Sequence, residues 1–191
     1  VLGTPAEDAV QTPSSGFDEL TLAALHARAG DSAAAADFVK ASQADVWRLC
    51  VHLGSARDAE DLTQETFARA FASLHRFAGR SSARTWLLSI ARRVCADAIR
   101  GRKPVLPLAE VEPAGRSSDP ADTVSLRLLL ESIDPLYREA FVLTQMLGLS
   151  YAEAADVAGC AMGTIKSRVS RARDALVEGL EPKCDDQTGS A

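Results

Sequence analysis

The feature that most limits what this chain can fold into is a helical hydrophobic period that runs long and breaks once. From Phe17 to Arg102 apolar residues recur three and four positions apart, as in Phe38, Val39, Val46, Leu49, Cys50 and Leu53. That spacing gathers them on one face of a helix, whereas a half-buried strand would alternate. Runs of β-branched residues and hairpin dipeptides do not occur, and Gly30 and Gly54 read as punctuation between helices. Residues 103–121, KPVLPLAEVEPAGRSSDPA, then bring Pro104, Pro107, Pro113, Pro120 and Gly115 together, and no helix survives that density of prolines. The helical pattern resumes near Asp122 and continues to about Leu180. The expectation is an all-α fold: two small helical domains, 17–102 and 122–181, joined by a flexible Pro-rich linker at 103–121. A disordered N-terminal tail at 1–16, rich in Pro, Ser, Thr and Gly, and a frayed tail at 182–191 complete the layout. Domains this small bury only ~60% of their unfolded surface, so partners matter for their stability.

The second domain carries the more readable motif. Asp134-Pro135 places a capping residue before a proline at the first helical position, and the helix that follows is expected to reach about Leu147. Ser150 to Glu153 is a capping box, in which the serine hydroxyl accepts from the Glu153 amide while the carboxylate reaches back. A short helix from 151 to 158 stops at Gly159, and a longer basic helix begins between Ala161 and Gly163. Short helix, glycine turn and longer helix make a helix-turn-helix. At 100° per residue, Ile165, Val169, Ala172 and Leu176 share the core face. Ser167, Ser170, Arg171 and Asp174 face away, Lys166 and Arg173 flank them, and Arg168 sits nearer the buried edge, in reach of a phosphate. Short hydroxyls beside long cations suit a helix lying in the DNA major groove.

The first domain holds a sharper cationic run. Arg76, Arg80, Arg84, Arg92, Arg93, Arg100, Arg102 and Lys103 face a single acid, Asp97. Trp86, Leu87, Ile90, Val94 and Ile99 form the apolar stripe of one helix, with Arg92, Arg93 and Arg100 on its outside. The preceding stretch FAGRSSAR is either a plain surface connection or a loop that holds a base turned out of the stack. Upstream, Asp61, Gln64, Glu65 and Ala68 line one helix face, and Phe67, Ala70, Phe71 and Leu74 another. The acidic stripe reads either as a solvated face or as a surface for a partner of complementary charge.

These patches stand out because the chain as a whole is acidic, with a formal net charge of −5. Such a protein gains nothing from nonspecific attraction to a duplex and needs a partner to deliver local cations. Cys50, Cys95, Cys160 and Cys184 form no CxxC pair and read as isolated thiols of a reducing cytosol, with redox or metal sensing as the alternative. The first 20 residues contain Glu7, Asp8, Asp18 and Glu19 and no secretory pattern; a cytoplasmic protein without membrane insertion is expected. Neither metal nor cofactor is expected, and no nucleophile elbow or phosphate loop accompanies the carboxylates.

Taken together, DAEDLTQETFARAF, RSSARTWLLSIARRVCADAIR and LSYAEAADVAGCAMGTIKSRVSRARDAL resemble, in order and spacing, the extracytoplasmic-function (ECF) group of bacterial sigma factors, over roughly residues 34–180. The resemblance implies a non-enzymatic, alternative sigma factor that binds core RNA polymerase through its β′ and β subunits. It implies that Asp61, Gln64 and Glu65 grip the β′ coiled coil. Phe77, Arg80, Ser82, Ala83, Arg84, Trp86, Arg92, Arg93 and Arg100 fall in the part that reads and melts the −10 element. Lys166, Ser167, Arg168, Ser170, Arg171 and Arg173 fall in the −35 reader. The linker resembles the segment threaded near the polymerase active centre, and an anti-sigma factor is a further partner the family implies. Two positions depart from the family pattern: Ala83 stands where an aromatic residue is common, and Arg93 where asparagine is common. The competing readings are a stand-alone helix-turn-helix regulator, a nucleic-acid enzyme with Asp61 and Glu65 as metal ligands, and a pure interaction protein.

Overall fold

The computed structural model describes residues 17–101 and 128–180. The Pro-rich linker and both tails of the sequence reading lie outside them. Among the described residues every regular element is helical. They are α1 (Glu19–Arg28), α2 (Ser32–Leu53), α3 (Ala59–Ser73), a 3₁₀ turn (Leu74–Arg76), α4 (Ala83–Gly101), α5 (Pro135–Phe141), a π turn (Val142–Met146), α6 (Tyr151–Ala158) and α7 (Met162–Leu180). Residues 128–132 are also helical.

Local chemistry sets the helix starts. Asp18 caps α1 by accepting from the Thr21 amide at 2.8 Å, and Asp31 caps α2 through the amides of Ala33 and Ala34. Ser82 caps α4 by accepting from the Thr85 amide at 3.1 Å. Asp134 does the same for α5, with Pro135 in the first turn. The helix expected to run to Leu147 changes pitch after Phe141. Thr144 turns its hydroxyl back onto the Ala140 carbonyl at 2.8 Å, and the Leu147 amide reaches the Val142 carbonyl, one residue beyond the α spacing.

The pair α1 and α2 packs against α3 and α4, while α5, α6 and α7 pack on one another. Phe38, Val46, Leu49, Leu87 and Leu88 are fully buried, each worth ~1.5–3 kcal/mol of transfer free energy. The rings of Phe67 and Phe71 meet Phe38 edge-on, with centroids 6.4 and 6.3 Å away. The core is not confined to residues 17–101. α4 packs on α6, and Leu143, Leu147, Leu149 and Ile165 continue the same apolar cluster. A smaller cluster, Leu130, Ile133 and Ala172, sits under α7. Two residues of the expected stripes lie elsewhere: Ile99 is 52% exposed and Phe71 39% exposed. Among the described residues, no helix is long and apolar enough to cross a membrane.

Candidate functional site

The helix-turn-helix is assembled as its sequence prescribes. The Ser150 hydroxyl accepts from the Glu153 amide at 3.2 Å, and the Ser150 amide donates to Glu153 Oε2 at 2.9 Å, closing the capping box. Hydrogen bonds from the Ser150 hydroxyl and then its amide hold the Glu153 carboxyl below the usual carboxylate range. At the other end of α6, Gly159 takes φ +67°, a conformation that a side chain disfavours, and the Cys160 amide reaches back to the Ala155 carbonyl.

That turn presents α7. Ile165, Val169 and Ala172 are buried, and Lys166, Ser167, Ser170, Arg171 and Arg173 are exposed on the other side. Arg168 is half-buried against Cys160, its guanidinium 3.8 Å from the sulfur. Two of the exposed cations are oriented by neighbours that sequence reasoning missed. Arg171 lies 5.9 Å from the centre of the Tyr137 ring and donates to its hydroxyl at 3.2 Å. Arg173 donates to Gln145 Oε1 at 2.8 Å. No sequence signal links partners so far apart along the chain.

The basic segment 76–101 divides into two kinds of residue. Phe77 is buried, its ring 4.8 Å from that of half-buried Trp86, and its carbonyl accepts from Arg28 at 2.6 Å. Ala83 is fully buried and its amide donates to Thr21 Oγ1 at 2.8 Å, while Ser82 is occupied in capping α4. These four shape the loop from within. The arginines lie at its surface, where Arg80 and Arg93 are exposed and pair with no acid among the described residues. Arg100 is exposed and pairs with Asp97.

Arg84 and Arg92 point at the other half of the molecule. Arg84 donates to Asp45 at 2.7 Å and to the Leu147 carbonyl at 2.6 Å. Arg92, expected on the outside of its helix, forms an ion pair with Glu139, which is only 6% exposed. One signal for this was available: Glu139 interrupts the apolar positions of α5 next to Ala140 and Leu143, and a carboxylate there needs a buried partner.

In the same half, α3 turns Asp61, Gln64 and Glu65 to solvent and buries Leu62, Thr63 and Thr66. Glu65 accepts from Arg69 at 2.7 Å, and Arg69 also bridges to Asp97 of α4 at 2.7 Å. Hydrogen bonds from Arg69 and then Arg100 lower the Asp97 carboxyl from its ordinary value. The molecule therefore carries an acidic helix face, a cationic loop and helix, and a cationic second helix of the helix-turn-helix. Among the described residues no group of three or more His, Cys, Asp or Glu side chains is gathered as a metal site.

The same two segments match known families. Residues 38–105 match the Sigma-70 region 2 model, and residues 123–176 match the Sigma-70, region 4 model. The ECF RNA polymerase sigma factor SigC of Mycobacterium tuberculosis is 47% identical over 189 residues, covering 93% of this chain and 100% of that protein. The ECF RNA polymerase sigma factor SigW of Bacillus subtilis is 31% identical over 172 residues, covering 79% of this chain and 91% of its own. Among solved structures, CnrH in complex with the cytosolic domain of CnrY superposes with a TM-score of 0.70 at 26% identity, over 85% of this chain and 97% of that one. RpoE of Bartonella quintana, in complex with the anti-sigma factor NepR, superposes with a TM-score of 0.64 at 30% identity, over 75% and 96% of the two chains. With both regions present in order on this geometry, the chain belongs to the extracytoplasmic-function sigma factors of bacterial RNA polymerase.

Proposed function

We propose that this chain is an alternative sigma factor that binds core RNA polymerase, directs it to −35 and −10 promoter elements and promotes strand separation. The observation that carries the reading is the placement of opposite charges. An acidic face on α3 and two cationic surfaces on α4 and α7 stand on a chain whose net charge, −5, opposes unaided DNA binding. Asp61, Gln64 and Glu65 dock on the polymerase. Arg80, Arg93 and Arg100 contact the −10 strand over a loop shaped by Phe77, Ser82, Ala83 and Trp86, and Arg84 and Arg92 join once freed from the other half. Lys166, Ser167, Ser170 and Arg171 meet base edges of the −35 duplex, while Arg168 and Arg173 reach phosphates.

The chain performs no bond chemistry in this scheme; binding energy separates the strands. An anti-sigma factor is proposed as a further partner, supported by the complex that the Bartonella relative forms. The test is co-elution: the purified chain should travel with core polymerase in size exclusion and bind a promoter duplex only in that company. A chain that binds duplex DNA equally well alone is the stand-alone regulator instead.

A further inference from the structure

The helix α1 has no part in that scheme, yet it touches the loop ahead of α4 at three points. Thr21 and Arg28 of α1 lie about two helical turns apart, so they share a face and stand ~10 Å from one another along the axis. The loop runs between them. At its start the Phe77 carbonyl accepts from Arg28 Nη1 at 2.6 Å. At its end the Ala83 amide donates to Thr21 Oγ1 at 2.8 Å, and both residues are buried. Ala83 opens α4, and the amides of a helix's first turn have no partner inside the helix. Thr21 supplies that partner from another helix. Its own hydroxyl proton goes to Asp18 Oδ2 at 2.9 Å, which leaves an oxygen lone pair for Ala83.

The middle of the loop is held as well. Gly79 takes φ +68°, a conformation that side chains disfavour, and a Cβ there would lie 3.2 and 3.3 Å from Phe17 Cε1 and Cζ and 3.9 Å from Leu25 Cδ1. The Phe17 ring, just ahead of α1, therefore lies against the bend. Between these anchors Ala78, Arg80 and Ser81 are exposed. An ordinary surface connection turns its backbone groups to water and is free to move. Here a carbonyl, a bend and an amide are fixed while the side chains stay accessible. That arrangement suits a loop that is formed before its ligand arrives.

We propose that α1 is the positioning element of the −10 loop: Arg28 and Thr21 hold its ends and Phe17 its bend, so that the loop meets a displaced base already shaped. The three residues act through the backbone of Phe77, Gly79 and Ala83 and need not touch DNA. Binding then carries less of the cost of ordering the loop. The geometry of the loop, and not only its side chains, sets which base it accepts. This inference deepens the function proposed above and rests on it for the nature of the ligand.

The test has two arms, both on the full chain. In the free chain, deuterium exchange of the Ala83 amide is followed by NMR. Thr21→Val keeps the shape of the side chain and removes the acceptor, so exchange should quicken about tenfold, and Thr21→Ser should restore protection. Equal exchange in Thr21→Val and wild type overturns the clamp. In holoenzyme with core polymerase, affinity is measured for non-template single strands of a promoter that the chain transcribes, each −10 base being changed in turn. Thr21→Val and Arg28→Gln should each reduce base preference at one position severalfold, with Thr21→Ser and Arg28→Lys recovering it. Affinity for core and for −35 duplex should stay unchanged. Arg28→Gln, at an exposed position, decides the matter if Thr21→Val fails to fold. Wild-type preference in both variants overturns the positioning role, and so does a loss that extends equally to −35 duplex. A wild-type holoenzyme without base preference in any strand contradicts the function proposed above, and the exchange arm still decides the clamp.

Discussion

Arg171 illustrates what a residue's surroundings add to its identity. Its exposure on α7 was legible from the helical period, because Ile165, Val169 and Ala172 had to be buried and so fixed the outward face. Its support by the Tyr137 ring was not legible, because that contact depends on how α5 crosses α7. Arg171→Ala should cost ~1–3 kcal/mol of discrimination at one −35 base pair, read by competition binding with single-base variants. Unchanged discrimination at every position would reject direct readout. The capping box was legible in full from Ser150 and Glu153. Ser150→Ala should destabilise the chain by about 1 kcal/mol, measured by urea unfolding at neutral pH. Glu153 has its carboxyl lowered in the folded state, so its contribution is present above the ordinary glutamate pKa of roughly 4.3 and fades as pH falls through the lower native value. The stability gap between wild type and Glu153→Gln should therefore shrink on acidification below that value.

Among elements, the helices themselves were the most legible part, and the exceptions have local causes. The π turn at Val142–Met146 escapes a reading by period because the apolar spacing of Leu143 and Leu147 is compatible with either pitch; the Thr144 hydroxyl and the Leu147 amide reveal it. The outside of α4 was misjudged at Arg92 for a different reason. A helix has one face toward its own domain, but a second packed body turns a flank of it inward as well. On α3, Asp61 and Gln64 are exposed, and Glu65 is tied to α4 through Arg69 and Asp97. Gln64→Ala combined with Glu65→Ala should lower affinity for core polymerase while leaving the helical circular dichroism unchanged, since surface pairs of this kind contribute little to folding. Equal affinity for core would reject the docking role of α3.

At the scale of the molecule, the described halves share one apolar cluster and hold the Arg84 and Arg92 side chains between them. The expectation of two helical bodies came from the proline-rich break, but their mutual packing has no signature in local periodicity. Removing one partner of a buried pair costs about 3–5 kcal/mol where both are fully desolvated, and less here because the Arg92 side chain is 31% exposed. Glu139→Gln should thus loosen the contact between halves, raising the radius of gyration in small-angle scattering and the affinity of holoenzyme for a −10 single strand. The same compactness and affinity as wild type would mean that the pair does not restrain the cationic surface. The account as a whole rests on one claim, that an acidic chain places two cationic surfaces on DNA by riding on a polymerase. Run-off transcription from genomic fragments with core polymerase tests it most directly. Discrete transcripts that appear only when this chain is added are the predicted result; an identical transcript pattern with and without it would contradict the account.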